Sequence, residues 1–450
     1  MTPLLVPLHG MGSRQDLPLP FPLVVGGAVA VLALSFVVVA AAWRRPRWYG
    51  EPGGRQLAGL TRLADAGWVR TVVAGLGLFG FCWLGLALWF GQDLVTNPVP
   101  GLVYVWLWVG LVPASLLLGP VWRTLNPARS LVRLLNLAGV PRDGLLPLAP
   151  GRWRRLGSYP AAVGLLAFLW LELVQPDNNT LAVLRAWWSA WVVVVLGGAV
   201  LFGRRWVSAA EPFEAYALLV ARASPWQRVA GTVSLVNPLR HLATSGTPAG
   251  SWAVVAVLLG GTAFDGFTST SWWVRTTQSS DLPGVVWGTA GLAATVALVA
   301  VTLALGVRGL GRLHGSLDAL APSVVPIVVG YAVAHYLSLL VLEGQRTLIN
   351  ASDPLGLGWN VFGTAELGIN QLWLEVPQAT AVIQLAAIVG GHLAGVLVAH
   401  ELSLLVLHRR VAPDTALDGA GLLHSIRSQL PLLVVMIGYT CGGLLLLFSP

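Results

Sequence analysis

Residues 21–43 read FPLVVGGAVAVLALSFVVVAAAW, and residues 44–47 read RRPR. The first stretch carries no charge. It is longer than the roughly 18–20 apolar residues a helix needs to cross a hydrocarbon core about 30 Å thick. The second puts arginines where that helix would emerge. Arginine collects in the cytoplasmic loops of membrane proteins, so an apolar run closed by guanidinium groups gives both a crossing and its direction.

The same unit recurs along the chain. Ten apolar segments occupy 21–43, 69–90, 101–119, 159–175, 181–203, 250–268, 284–307, 322–343, 378–407 and 430–448. Composition agrees with them. Hydrophobic residues make up 56% of the 450 and charged residues 10%, against about 25% charged in an ordinary globular chain. Mean hydropathy is +0.73. A soluble sphere could not cover its surface with so few charges, which excludes a set of soluble domains and a disordered chain. The two cysteines, Cys82 and Cys441, lie inside apolar runs and make no disulfide framework.

The net charge of +8 would point to nucleic acid in a soluble chain. Here every basic residue is arginine, as in a GC-rich bacterial genome, and the arginines mark sides. Counted from an N-terminus outside, loops 44–70, 120–158, 204–249, 308–321 and 408–429 hold 23 of the 27; the opposite side holds Arg14, Arg185, Arg275 and Arg346. One missed helix would scramble that alternation. The expectation is an all-α fold, a polytopic transmembrane helical bundle forming one domain over 1–450. It has about ten spanning helices and both termini outside, and it belongs in a bacterial inner membrane. Its partner is the lipid bilayer, not nucleic acid. Met1 to Leu8 lacks the charged start of a cleavable signal, so the first span is expected to act as the targeting signal.

Two features lie outside the spans. Residues 344–377 form a long outer loop with Glu366, Glu375 and an Asp353-Pro354 turn, and loops of that length are often lids or binding elements. The second is an echo. Gly119-Pro120-Val121-Trp122 leads to Asn126-Pro127 and an amphipathic stretch to Leu135; Gly203-Arg204-Arg205-Trp206 leads to Glu211-Pro212 and another to Arg222. Each follows a span running outside to inside. That reads as a weak repeat of helix pair plus interfacial helix, a pattern found in transporters.

Ionisable side chains at membrane depth are costly and are functional candidates by default. Glu172 lies near the outer end of the fourth span and Asp265 near that of the sixth. His335 and Glu343 lie on the eighth span, and His392 and His400, with Glu401 beside it, on the ninth. Two arrangements follow. In the first, Glu172, Asp265 and His335 converge on an outward-open cavity as catalytic groups and as ligands of a divalent metal, with His9 as a further ligand. In the second, His335, His392, His400 and Glu343 form a proton or ion path along the bilayer normal, or the histidines hold haem. The plain alternative is that each polar group is capped by a neighbouring helix.

The stretch His9-Gly10-Met11-Gly12-Ser13-Arg14-Gln15-Asp16-Leu17-Pro18-Leu19-Pro20, followed by a span ending at Trp43, resembles a group of bacterial polytopic membrane proteins labelled fenitrothion hydrolase. The blocks Asp265-Gly266-Phe267, Ser352-Asp353-Pro354-Leu355-Gly356 and Gly391-His392 through Ala399-His400 are similar too, so the likeness runs over nearly the whole chain. In that group the His-Gly often follows a longer apolar leader, whereas eight residues precede His9 here. The label implies hydrolysis of organophosphate triesters at the membrane, which usually uses a metal-bound hydroxide; the chain lacks the paired His-x-His of soluble phosphotriesterases. Three function classes therefore stand after the sequence: a metal-dependent hydrolase, an ion- or proton-coupled transporter, and a subunit of a membrane complex, with haem one way of building it.

Overall fold

The computed structural model describes residues 17, 19–48, 53–308, 313–408 and 419–448. Among them, ten helices are long and apolar enough to cross a membrane. The protein is an all-α multi-pass membrane protein. The spanning helices are α1 (Phe21–Ala42), α2 (Gly67–Phe90), α3 (Gly101–Leu118), α4 (Tyr159–Leu173), α5 (Leu181–Phe202), α6 (Ser251–Thr268), α7 (Gly284–Gly306), α8 (Leu313–Asn350), α9 (Pro377–His408) and α10 (Gly419–Leu447). A helix satisfies its backbone polar groups internally, the condition for crossing hydrocarbon. Phe21 at the start of α1 and Phe448 just past α10 are ring neighbours, with centroids 6.4 Å apart. The described chain therefore starts and finishes on one side, as an even number of crossings requires.

Most helix bounds match the apolar runs closely. The starts of α8 and α10 do not. They were expected at Pro322 and at Leu430, beside Pro431, but both helices start earlier and run through those prolines. A proline inside a helix forfeits the bond to the carbonyl four residues earlier. At Pro322 that carbonyl belongs to Asp318, and the Thr247 hydroxyl donates to it at 2.6 Å. The side-chain donor replaces the hydrogen bond that the proline cannot make. At its other end α8 runs on to Asn350, so the connecting loop is 351–376, not 344–377.

A glycine seam joins α8 to α9. A Cβ on Gly330 would stand 2.3 Å from the Ala387 carbonyl oxygen, one on Gly391 2.5 Å from that of Pro326, and one on Gly395 2.9 Å from that of Ser323. Small residues at these points let the two backbones touch, the usual way helices associate in lipid.

The echo becomes two helical hairpins. The first joins Trp122–Leu125 to Pro127–Leu137, and the second joins Arg205–Ala210 to Pro212–Ala221. Asn126 and Glu211 stand at the tips as N-caps, accepting from the N–H of Ala128 (2.9 Å) and from those of Phe213 (3.2 Å) and Glu214 (2.7 Å). Proline at the first helical position costs nothing there. The tips hold each other. Asn126 Nδ2 donates to Glu211 Oε2 at 2.9 Å and to Glu214 Oε2 at 3.0 Å, and Arg129 forks onto both oxygens of Glu214. The first tip sits deep: a Cβ on Gly77 of α2 would fall 1.7 Å from the Leu125 carbonyl oxygen.

The helix Pro212–Ala221 differs from expectation. It is not interfacial but buried among α3, α4, α6 and α8. Phe213 packs on Phe168 (5.1 Å between centroids) and Tyr216 on Trp108 (5.2 Å). Its charged side chain, Glu214, is paired with Arg129, so nothing on it demands water.

The arginine-rich side also carries a small sheet that alternation in the sequence did not announce. Strands β1 (Gly54–Gln56), β2 (Trp226–Val229) and β3 (Thr232–Val236) pair antiparallel in the order β1-β3-β2. Ala230 and Gly231 turn β2 into β3 with φ of 48° and 82°, the left-handed pair a tight hairpin needs. Arg228 of β2 donates to Asp65 at 2.6 Å and holds that carboxyl below the usual carboxylate range.

Candidate functional site

Asp265 lies one turn from the end of α6, and α8 passes beside it. His335 Nε2 and the Tyr336 hydroxyl both meet Asp265 Oδ2 at 2.9 Å. The Tyr336 O–H donates. His335 is 4% exposed and Asp265 8%. Tyr331 stacks on the imidazole (5.7 Å between centroids, 19° between planes) and Tyr336 meets it edge-on at 4.7 Å. Gly266 makes the crossing close: a Cβ there would stand 3.2 Å from the Tyr331 hydroxyl. Tyr331 and His335 are four apart, on one face of α8; Tyr336 is the next residue, about 100° round the axis.

Glu172 reaches the same region from α4. Helix α4 packs directly on α6, the helix of Asp265. The Glu172 Oε2 is sealed from solvent and has no hydrogen-bond partner among the described residues. The Tyr331 hydroxyl is in the same condition. The turn after α4 is tied down above it: Asn178 Nδ2 donates to the Glu172 carbonyl, and the Tyr104 hydroxyl donates to the Asn178 carbonyl at 2.9 Å.

The pair is roofed, not open as expected. Trp373, in the loop between α8 and α9, donates its indole N–H to Ser338 Oγ at 3.0 Å, one turn beyond His335. The chemistry available is proton exchange between a carboxylate and an imidazole, tuned by a second carboxylate and by phenols.

The other sequence candidates scatter. Glu343 pairs with Arg346 at 3.4 Å. His392 is buried, with Nδ1 donating to the Ile388 carbonyl of its own helix at 2.8 Å. His400 lies between α10 and the segment after α1, with Nδ1 2.7 Å from Gln429 Oε1 and Nε2 2.8 Å from the Trp43 carbonyl oxygen. Glu401 accepts from the backbone N–H of Arg47 and Trp48, at 3.2 and 2.5 Å. His400 and Glu401 thus fasten the segment after α1 to α9 and α10. His9 lies outside the described residues.

Neither expected cofactor fits what is present. Among the described residues, no three His, Cys, Asp or Glu side chains stand close enough to hold a metal ion, so Glu172, Asp265 and His335 do not make a ligand set. Haem on the histidine ladder is not supported either, because both ring nitrogens of His400 are engaged.

Sequence reasoning missed Tyr331 and Tyr336. It searched for charge at depth, and tyrosine reads as an interfacial residue. Their spacing from His335 was the available signal. Compared with family models, with curated proteins and with solved structures, the chain matches none.

Proposed function

We propose that the protein is a proton-linked transporter of a bacterial cell membrane, with its arginine-rich side in the cytoplasm. The observation that carries this reading is the contact of Asp265 with His335 and Tyr336 inside the bundle, with Glu172 buried on the adjoining α4. The side chains come from three helices, α4, α6 and α8. Charge in a low-dielectric interior is costly. Gaining or losing one proton on this cluster therefore changes how favourably the three helices pack. A proton gained or lost by the Asp265–His335 pair changes the charge held between the helices. Each state favours its own arrangement, which is how protonation can be linked to movement of a solute.

The test is reconstitution into proteoliposomes with an entrapped pH indicator and an imposed membrane potential. Proton flux is expected in the wild type and absent in Asp265→Asn and His335→Gln. Liposomes that stay as tight as protein-free controls would refute the reading.

The Asp265–His335 contact is also the geometry of a general base with its orienting carboxylate, and the orientation toward the arginine-poor side agrees with the phosphotriester hydrolysis suggested by the resemblance. The same purified protein, assayed with a chromogenic phosphotriester, separates the two: turnover that Asp265→Asn abolishes would favour the hydrolase.

A further inference from the structure

We propose that residues 351–376 are seated at the lipid interface on the arginine-poor side, with their apolar side chains turned toward lipid. The segment is irregular, yet its own polar side chains hold its backbone. The Asp353 carboxylate accepts the N–H groups of Gly356 (3.0 Å), Leu357 (3.0 Å) and Gly358 (2.7 Å). Ser352 Oγ donates to Asn360 Oδ1 at 3.0 Å and accepts from the Phe362 N–H at 2.8 Å; Asn360 Oδ1 also accepts the Ala365 N–H at 3.0 Å. Irregular backbone does not stand bare in the hydrocarbon core; with these N–H groups met internally and water in reach of the rest, the interface is the depth that suits it.

Its depth follows from α2. Trp83 donates its indole N–H to the Ala351 carbonyl at 3.0 Å, and Phe362 packs on the Trp83 ring at 5.2 Å. Trp83 is seven residues short of the end of α2 at Phe90, about 10 Å along the axis. Ala351 and Phe362 thus lie beside the last two turns of a spanning helix, while Leu355 and Gly356 meet Gln92 just past its end.

Its surface matches that place. Leu357 is 61% exposed, Phe362 48% and Leu372 62%, and Val361 and Leu367 are exposed as well. In an aqueous loop such a set would be a large apolar patch. Here it continues a surface that already faces lipid: Phe79, exposed on α2, stacks on Trp83 at 5.5 Å, and Trp83 meets Phe362. That continuity selects lipid over a second copy or a partner protein.

The experiment uses nitroxide labels in a Cys82→Ser, Cys441→Ser background, reconstituted in phosphatidylcholine–phosphatidylglycerol vesicles. Labels go on Leu357→Cys, Phe362→Cys, Leu372→Cys and, as the aqueous reference, Glu366→Cys. Collision with oxygen, which concentrates in lipid, is compared with collision with a water-soluble nickel chelate. The oxygen-to-nickel ratio is expected to be several-fold higher at positions 357, 362 and 372 than at 366. Nickel dominance at all of them would overturn the proposal by putting the loop in water. Low collision with both reagents would overturn it in favour of a protein covering. Because Phe362 packs on Trp83, Leu367→Cys supplies the reading if Phe362→Cys does not fold. The readout is independent of any transport or hydrolysis.

Discussion

Arg129→Ala should be among the most damaging single changes in this protein, although Arg129 is far from the Asp265–His335 pair in sequence. Glu214 is 0% exposed and Arg129 19%. Arg129 gives Glu214 two charge-assisted hydrogen bonds, each worth about 1.5–3 kcal/mol. Without it, the buried carboxylate keeps the Asn126 amide as its side-chain donor. Breaking a buried ion pair from one side costs about 3–5 kcal/mol, and the partial exposure of Arg129 argues for the lower end, about 3 kcal/mol. Arg129 also donates to Ser208 of the second hairpin, so its loss leaves the tips joined through Asn126. The assay is equilibrium unfolding of the detergent-purified protein in increasing sodium dodecyl sulfate, followed by near-ultraviolet circular dichroism. Glu214→Gln added to Arg129→Ala should recover much of the loss, since the stranded charge is then gone. A single variant within about 0.5 kcal/mol of wild type, the range of ordinary surface changes, would refute the reasoning.

Further outcomes follow from the seam and the loop. Gly391→Ala should cost about 1–3 kcal/mol by overpacking in the same unfolding assay, because its Cβ would press on the Pro326 carbonyl; its neighbour Gly390→Ala, whose Cβ would meet nothing within 4 Å, should be silent. Equal effects would show that the seam is not tight. At Asp353, burial pushes the carboxyl up, but the N–H groups of Leu357, Gly358, Trp359 and Gly356 outweigh it and hold the carboxyl below its ordinary range. A depressed native value means the ionised form steadies the loop above the unfolded carboxylate value of about 4, and the effect fades only as pH falls through the lower native value. A nitroxide at Leu357→Cys should therefore keep its mobility from neutral pH down to about 5 and loosen only in stronger acid, while Asp353→Ala loosens it at neutral pH. Loosening of the parent already near neutrality would contradict the assignment.

The crossings were legible because hydropathy and arginine placement are local properties: the run FPLVVGGAVAV needs no partner to declare itself. Helix ends were less so. Pro322 looks like a start until Thr247, distant in sequence, is seen supplying the bond that the proline lacks. The pairing of Asp265 with His335 spans 70 residues and depends on how α6 and α8 cross. The sequence marked both as costly at depth but could not say that they meet, nor that Glu343, His392 and His400 would each be satisfied nearby. The helix Pro212–Ala221 was misplaced because it was grouped by position with Pro127–Leu137, although it is apolar nearly all round where its counterpart is amphipathic. Which of the two lies at the surface is decided by Glu214 finding Arg129.

That buried short helix bears on how the protein is made. A stretch of 10 residues is too short to leave the translocon as a crossing in its own right. It is walled by α3, α4, α6 and α8, and α6 and α8 are synthesised after it. Pro212–Ala221 must therefore wait near the membrane surface until later parts of the chain have been inserted, and only then be closed in. Its docking is a final assembly step. Changes that weaken the grip of its tip should leave the crossings correctly threaded and instead yield a protein that is inserted but unfinished, a ready target for membrane quality-control proteases.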